Sequence, residues 1–231
     1  MASLNALLIT GTDTEVGKTV LTSALAAYWQ RFQPNRPLGL LKPFQSGIGD
    51  RELYQRLFLP TADLAEITPQ FFEAPLAPPL AATLENRSVD LAVAWKVLEQ
   101  RCRECDWVLV EALGGLGSPV TDELTVADVA SAWHLPVVLV VPVKLGAIAQ
   151  AVANVALARQ CQLEVRGIVL NCSQPRTAEE IAQWAPADLI TNLTQVPILG
   201  TLPYLNNPED VASLVSVGSD LKLEALAPLA V

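Results

Sequence analysis

The stretch "LLITGTDTEVGKTVLTSAL", residues 7–25, decides how the rest of the chain is read. Its apolar opening and its helical end are joined by Gly17-Lys18-Thr19, the close of a phosphate-binding loop. The usual pattern is a glycine, any four residues, then Gly-Lys-Ser/Thr. Here the first-glycine position holds Thr12, and Gly11 stands one residue early. Such a loop must follow a buried strand and open a helix, so that backbone N–H groups and the helix dipole face the anion. A strand at Ala6–Thr10 and a helix from near Lys18, with Val20, Leu21, Ala24, Leu25 and Tyr28 on one face, meet that requirement. The competing reading is an ordinary strand–helix turn that contains Gly-Lys-Thr by chance. The matching flanks favour the phosphate loop. Gly17 then lets the backbone approach a phosphate, Lys18 reaches the β and γ oxygens, and the Thr19 hydroxyl can ligate Mg²⁺.

Outward from this loop, short apolar runs alternate with helical patterns. Leu38–Leu41, Trp107–Val110, Val137–Val141, Val165–Leu170 and Ile198–Leu199 read as strands, several of them apolar throughout. Ile148, Val152 and Val155 form one face of a later helix. This alternation predicts an α/β fold, an open and mostly parallel sheet with helices on both faces. With no break in composition, residues 1–231 read as a single domain. Residues 60–90 depart from the rhythm. The stretch "PQFFEAPLAPPLAATLENRS" holds four prolines and predicts an ordered but irregular excursion over one sheet end. The tail after about residue 215 is apolar, weakly periodic and has no evident place.

Composition narrows the function classes. Hydrophobic residues make up 51% of 231 and charged ones 17%, which implies a well-buried core and excludes general disorder. The longest apolar run, Leu135–Val143, is nine residues with two prolines, far short of the roughly 20 that cross a bilayer. The N-terminus lacks the basic and apolar segments of a signal peptide. Four scattered cysteines do not make a disulfide scaffold. The expectation is a cytoplasmic protein without a membrane partner. A net charge of −9 argues against a nucleic-acid partner. It also means that bound phosphate needs a local positive field from amides, a lysine and a metal ion.

Two further strand ends carry charge. "GLLKPFQSG" puts Lys42 at the C-terminal edge of a strand, where ligands of open α/β sheets gather. A surface lysine capping the strand is the alternative. "DWVLVEALGG" closes a hydrophobic strand with Glu111 before Gly114-Gly115. Such an acid beside a phosphate loop usually faces the metal, and a solvated glutamate is the alternative.

Taken together, "GTDTEVGKT", "KPFQSG", "FFEAPLAPPLAA", "DWVLVEALGG", "VVPVKLG" and "LPYLNNPED" resemble dethiobiotin synthases in order and spacing, from about residue 5 to about residue 212. The resemblance implies a P-loop NTPase-like fold and a homodimer. It also implies ligation of CO₂ to 7,8-diaminononanoate with ATP as co-substrate and Mg²⁺ as cofactor. In that family a carbamate attacks the γ-phosphate and a second amine closes a cyclic urea. By resemblance, Lys18 and Lys42 are catalytic, Thr19, Asp50 and Glu111 hold the metal, and Ser46 and Gly146 meet the diamine acid. The nucleotide is implied to lie against Glu15, Val16, Gly17, Lys18, Thr19, Val20, Asp50, Glu111, Ala112, Leu113 and Gly114. Its base end falls to Asn171, Cys172, Pro203, Tyr204, Leu205 and Glu209. Cys172 stands where the family has Asp, Tyr204 where it often has Trp, and Ala112-Leu113 where it often has Gly-Ala. A side chain at 112 is expected to narrow the approach to ligand. Two other readings compete. A partitioning-type regulatory ATPase carries a signature lysine near the loop's start, where this chain reads Thr12-Asp13-Thr14. A corrinoid-type amidoligase adds a glutaminase domain, for which no length remains after residue 215. Cys102 and Cys105, with His134 the chain's one histidine, do not make up the four ligands of a structural zinc site. His134 reads as a packing or capping residue.

Overall fold

The computed structural model describes residues 4–226. Strand β1 (Ala6–Gly11) is buried along its whole length. Leu7 and Ile9 enter one core, Ala6 and Leu8 another. That period of two, apolar on both faces, is what a parallel strand covered on both sides requires. It pairs with β5 (Trp107–Gly115) on one side and β6 (Val137–Pro142) on the other. With β2 (Leu38–Leu41), β7 (Val165–Asn171) and β8 (Ile198–Leu202) they form a six-stranded sheet, ordered β2-β5-β1-β6-β7-β8. Every pairing in it is parallel. The C-terminal ends therefore open onto one edge. Strand β5 runs on past Val110, which carries Glu111 inside the sheet.

On one face lie α1 (Lys18–Phe32), α2 (Asp50–Leu57) and α10 (Val211–Ser219). On the other lie α5 (Leu91–Glu104), α6 (Val126–Ala132), α7 (Ala147–Gln160), α8 (Ala178–Trp184) and α9 (Ala187–Thr194). Helix α1 sits between the sheet and α10, so Ala26, Ala27 and Trp29 are buried along with the expected Leu21, Ala24 and Leu25, while Val20 and Tyr28 are partly buried against the core. Helix α7 keeps the expected face at Val155 and, partly, at Ile148, but not at Val152. Ala147, Ala151, Val155 and Ala158 face the sheet, and Val152 is left 37% exposed. Alanine methyls let the helix backbone close on the sheet, which puts Val152 outside the buried stripe.

Residues 60–90 are more regular than their prolines suggest. They hold α3 (Leu64–Ile67), β4 (Gln70–Phe72) and α4 (Pro78–Leu84). Strand β4 pairs in parallel with β3 (Phe44–Ser46) as a second, two-stranded sheet. Pro78 opens α4, where a missing N–H costs nothing. The tail also finds a place. Leu214, Val217, Leu221, Leu223 and Leu226 join the core beneath α1, and the last five residues lie outside those described. His134 follows α6 with φ 52, while Leu135 donates to the Ala130 carbonyl and His134 to that of Ser131. This is a Schellman cap, the backbone role expected of it. Among the described residues no helix is long and apolar enough to cross a membrane.

Candidate active site

The loop between β1 and α1 keeps Glu15 at φ 56 and Gly17 at φ 99. Gly17 is the N-cap of α1, without a side-chain cap and without an acid in the first turn. The first N–H groups of α1 are thus left for an anion, with the helix dipole behind them. The Lys18 ammonium curls back to donate to the Asp13 carbonyl at 2.8 Å. Burial lowers its pKa to about 8, against the opposing pull of Glu111.

Across the loop Lys42 is buried between two acids. Its Nζ lies 2.7 Å from Glu111 Oε1 and donates also to Asp50 Oδ2. The Thr19 hydroxyl sits 2.9 Å from Asp50 Oδ1 and 3.2 Å from Glu111 Oε1. Burial disfavours the Lys42 charge, but Glu111 and Asp50 outweigh it and hold the pKa above the ordinary lysine value. Burial likewise opposes the Asp50 charge, and Lys42 with Thr19 overrides it and lowers the carboxyl. Lys42 is therefore a fixed cation and Asp50 a fixed anion. Asp50 is held by the start of α2, where Gly49 donates to Glu52 and Arg51 to the Gln45 side chain at 3.0 Å. Two carboxylates and a hydroxyl form an all-oxygen donor set. It suits a hard cation that keeps several waters and takes phosphate oxygens for the rest.

These groups open into one cavity of about 630 Å³. Glu15, Gly17, Lys18 and Thr19 line it from the loop, and Lys42, Ser46 and Asp50 from the β2 side. Glu111, Leu113 and Gly114 come from the end of β5. Ser46 Oγ is buried without a hydrogen-bond partner among the described residues. A polar atom so placed has unmet capacity for a ligand.

Other expected residues stand elsewhere. Val16 is packed in the core and Val20 against it, so only their backbone faces the loop. Ala112 points into the opposite core, and the expected narrowing of the site does not occur. Strand alternation explains this, since Glu111 and Ala112 must face opposite sides. The same rule corrects Cys172: Asn171 turns toward the loop while Cys172 is buried in a third core cluster. Asn171 Nδ2 donates to the Val16 carbonyl at 2.9 Å, strapping the phosphate loop to the end of β7. Pro203 and Tyr204 are exposed and Leu205 partly buried in the loop after β8. Glu209 pairs with Arg56 of α2 at 2.7 Å, both well exposed, a contact of small energetic worth. Gly146 caps α7 in the left-handed region and does not line the cavity. Cys102 and Cys105 are free thiols, and burial pushes Cys102 up to about 11.

Sequence reasoning missed Tyr54 and Thr22, both on the second carboxylate oxygen of Glu111. A signal existed: Tyr54 follows Asp50 by four positions, the spacing that places two side chains on one helix face.

Comparison with known proteins adds to this geometry. The family described as AAA domain matches residues 5–211. The ATP-dependent dethiobiotin synthetase BioD of Gloeothece citriformis is 54% identical over 224 residues, 97% of this chain and 99% of that protein. That of Crocosphaera subtropica is 55% identical over 223 residues, 96% of this chain and 100% of that protein. That of Bacillus subtilis is 33% identical over 232 residues, with 96% and 97% covered. Among solved structures, the MinC:MinD cell division complex of Aquifex aeolicus gives a TM-score of 0.56 at 17% identity, covering 92% of this chain and 86% of that one. A ParA family ATPase from Chlorobium tepidum gives 0.54 at 15%, covering 96% and 93%. At those identities the structures speak for the fold alone, a parallel-sheet P-loop NTPase arrangement. The close relatives match end to end, and the chain belongs to the ATP-dependent dethiobiotin synthetase family.

Proposed function

We propose that this chain works in the cytoplasm as an ATP-dependent dethiobiotin synthetase, closing a cyclic urea on 7,8-diaminononanoate. One amine captures CO₂ as a carbamate. A carbamate oxygen displaces ADP from the γ-phosphorus, and the second amine attacks the mixed anhydride and expels phosphate. The substrate's amines are the nucleophiles, so the protein's part is binding, orientation and charge. What supports the reading is the convergence of Lys18, Lys42, Thr19, Asp50 and Glu111 on one cavity at the sheet edge.

In this reading Gly17 and the first amides of α1 bind the phosphates, and Lys18 exchanges the Asp13 carbonyl for phosphate oxygens. Thr19, Asp50 and Glu111 would hold Mg²⁺, whose charge would offset that of the phosphates. Lys42 stabilises charge between carbamate and γ-phosphate, and Ser46 offers its unpartnered hydroxyl to the diamine. Asn171 and the loop 203–209 bound the nucleoside. The deciding measurement is phosphate release. It should require diamine and bicarbonate together; release with glutamine, or without any acceptor, would favour an amidoligase or a regulatory ATPase.

Base selection should be weak. Asn171 already gives an N–H to Val16, and Cys172 is turned into the core, so position 172 offers no carboxylate to the exocyclic amine. The expected preference for ATP over CTP or GTP is below about a thousandfold, roughly 4 kcal/mol. Comparing the three nucleotides at kcat/KM tests it, and a larger ratio contradicts it.

The substrate carboxylate is assigned to the free amides at the start of α7, supplied by a second copy of the chain. Gly146 lies outside the cavity of its own subunit, while Leu145 beside it is 76% exposed. The expected species at assay concentration is a homodimer, measurable by analytical ultracentrifugation. A fully active monomer would remove this assignment.

A further inference from the structure

Tyr54 has no exposed surface, and neither does Glu111, to which its hydroxyl donates. For packing alone a phenylalanine would serve on this face of α2. The hydroxyl needs a separate reason.

That reason lies in how the Glu111 carboxylate is divided. Oε1 faces the cavity, 2.7 Å from Lys42 Nζ and 3.2 Å from Thr19 Oγ1. Oε2 faces the core, where Tyr54 and Thr22 are its neighbours. Thr22 Oγ1 is 3.0 Å from Oε2 but also 2.9 Å from the Lys18 carbonyl, and one hydroxyl proton cannot serve both. The tyrosine proton goes to Oε2, its hydrogen-bond acceptor among the described residues, with the Thr22 hydroxyl as a close neighbour. The terminal torsion of a glutamate is broad, so without an anchor the carboxylate can rock or turn both oxygens toward Lys42. Asp50 stands one turn earlier on the same helix, so α2 brings the anchor and the second acid together.

We propose that Tyr54 is a positioning residue whose hydroxyl, bound to Glu111 Oε2, fixes that carboxylate so that Oε1 alone is presented to a divalent cation. The proposal rests on the reading of Glu111 as a cation ligand. Groups that orient a ligand from behind typically change metal affinity by about ten- to a hundredfold when removed.

The test uses the full chain with Mn²⁺ as probe, its binding in the presence of ADP followed by electron paramagnetic resonance. Tyr54→Phe keeps the ring and removes the hydroxyl. It should weaken Mn²⁺ about tenfold and raise the Mg²⁺ concentration needed for half-maximal turnover by a similar factor. Replacing Tyr54 by 4-aminophenylalanine returns a donor to the same place and should recover most of the affinity. Mn²⁺ affinity within twofold of the parent in Tyr54→Phe overturns the proposal, as does failure of the amino variant to recover what Tyr54→Phe loses. Glu111→Gln separates the two levels of the argument. If it weakens Mn²⁺ while Tyr54→Phe does not, the positioning role is wrong and the ligand reading stands. If neither weakens Mn²⁺, the ligand reading itself is wrong.

Discussion

Lys42→Gln should turn over on the order of a hundredfold more slowly than the parent while binding ATP nearly as well. The ammonium lies 2.7 Å from Glu111 Oε1 and bonds to Asp50, with its pKa held up by both acids, so it acts as a fixed charge and not as a base. An interaction made mainly with charge that develops during phosphoryl transfer lowers kcat more than it raises KM. Glutamine keeps the length and removes the charge. It leaves two carboxylates facing each other in the free protein, where stranding a buried charge costs about 3–5 kcal/mol, and added Mg²⁺ should offset part of that loss. Lys18→Gln should fail differently. Lys18 belongs to the loop that cradles the phosphates, so its loss should raise the Kd for ATP by roughly a hundredfold, near 3 kcal/mol. Isothermal titration and steady-state kinetics on the same preparations separate the two lysines. Turnover of Lys42→Gln within about threefold of the parent would make that lysine a bystander at the sheet edge.

Gly17→Ala should be as damaging to nucleotide binding as loss of Lys18. The residue sits at φ 99, where a side chain costs about 1–2 kcal/mol on backbone grounds alone. A Cβ there would lie 2.1 Å from Asn171 Nδ2, a buried carboxamide already committed to the Val16 carbonyl. Either Asn171 leaves the loop or Gly17 moves off the phosphate position. The expected results are a Kd for ATP raised on the order of a hundredfold and a lower melting temperature, read by titration and by thermal denaturation. Affinity within threefold of the parent would show that the loop rebuilds around the added methyl.

The parts of the site legible in the sequence are those where strand ends and local spacing decide. Gly17-Lys18-Thr19, Lys42 and Glu111 each close or follow a run of apolar residues, and the sheet brings such ends together at one edge. Contacts between distant positions left no local mark. Tyr54 meets Glu111 across 57 residues and Asn171 meets Val16 across 155. The orientations of Ala112 and Cys172 follow from strand parity, but only once the strands are known to run beyond Val110 and Leu170. In residues 60–90 the prolines obscured a strand of three residues, too short for alternation to register. In α7 Val155 kept its expected place, but alanines took the rest of the buried stripe and left Val152 outside it.

The strand order has a consequence for how such a chain can diverge. With β1 in the middle, Lys42 and Glu111 lie on one flank and Asn171 with the loop after β8 on the other. On the proposed reading, acceptor chemistry and nucleoside recognition then sit on separate wings, joined through the phosphate loop and the exposed Arg56–Glu209 pair. Mutational drift on the β2–β5 wing can try new acceptors without relearning how to hold a nucleotide. Drift on the β7–β8 wing can loosen base choice, as the inward turn of Cys172 is expected to do here, and leave the chemistry of ring closure untouched.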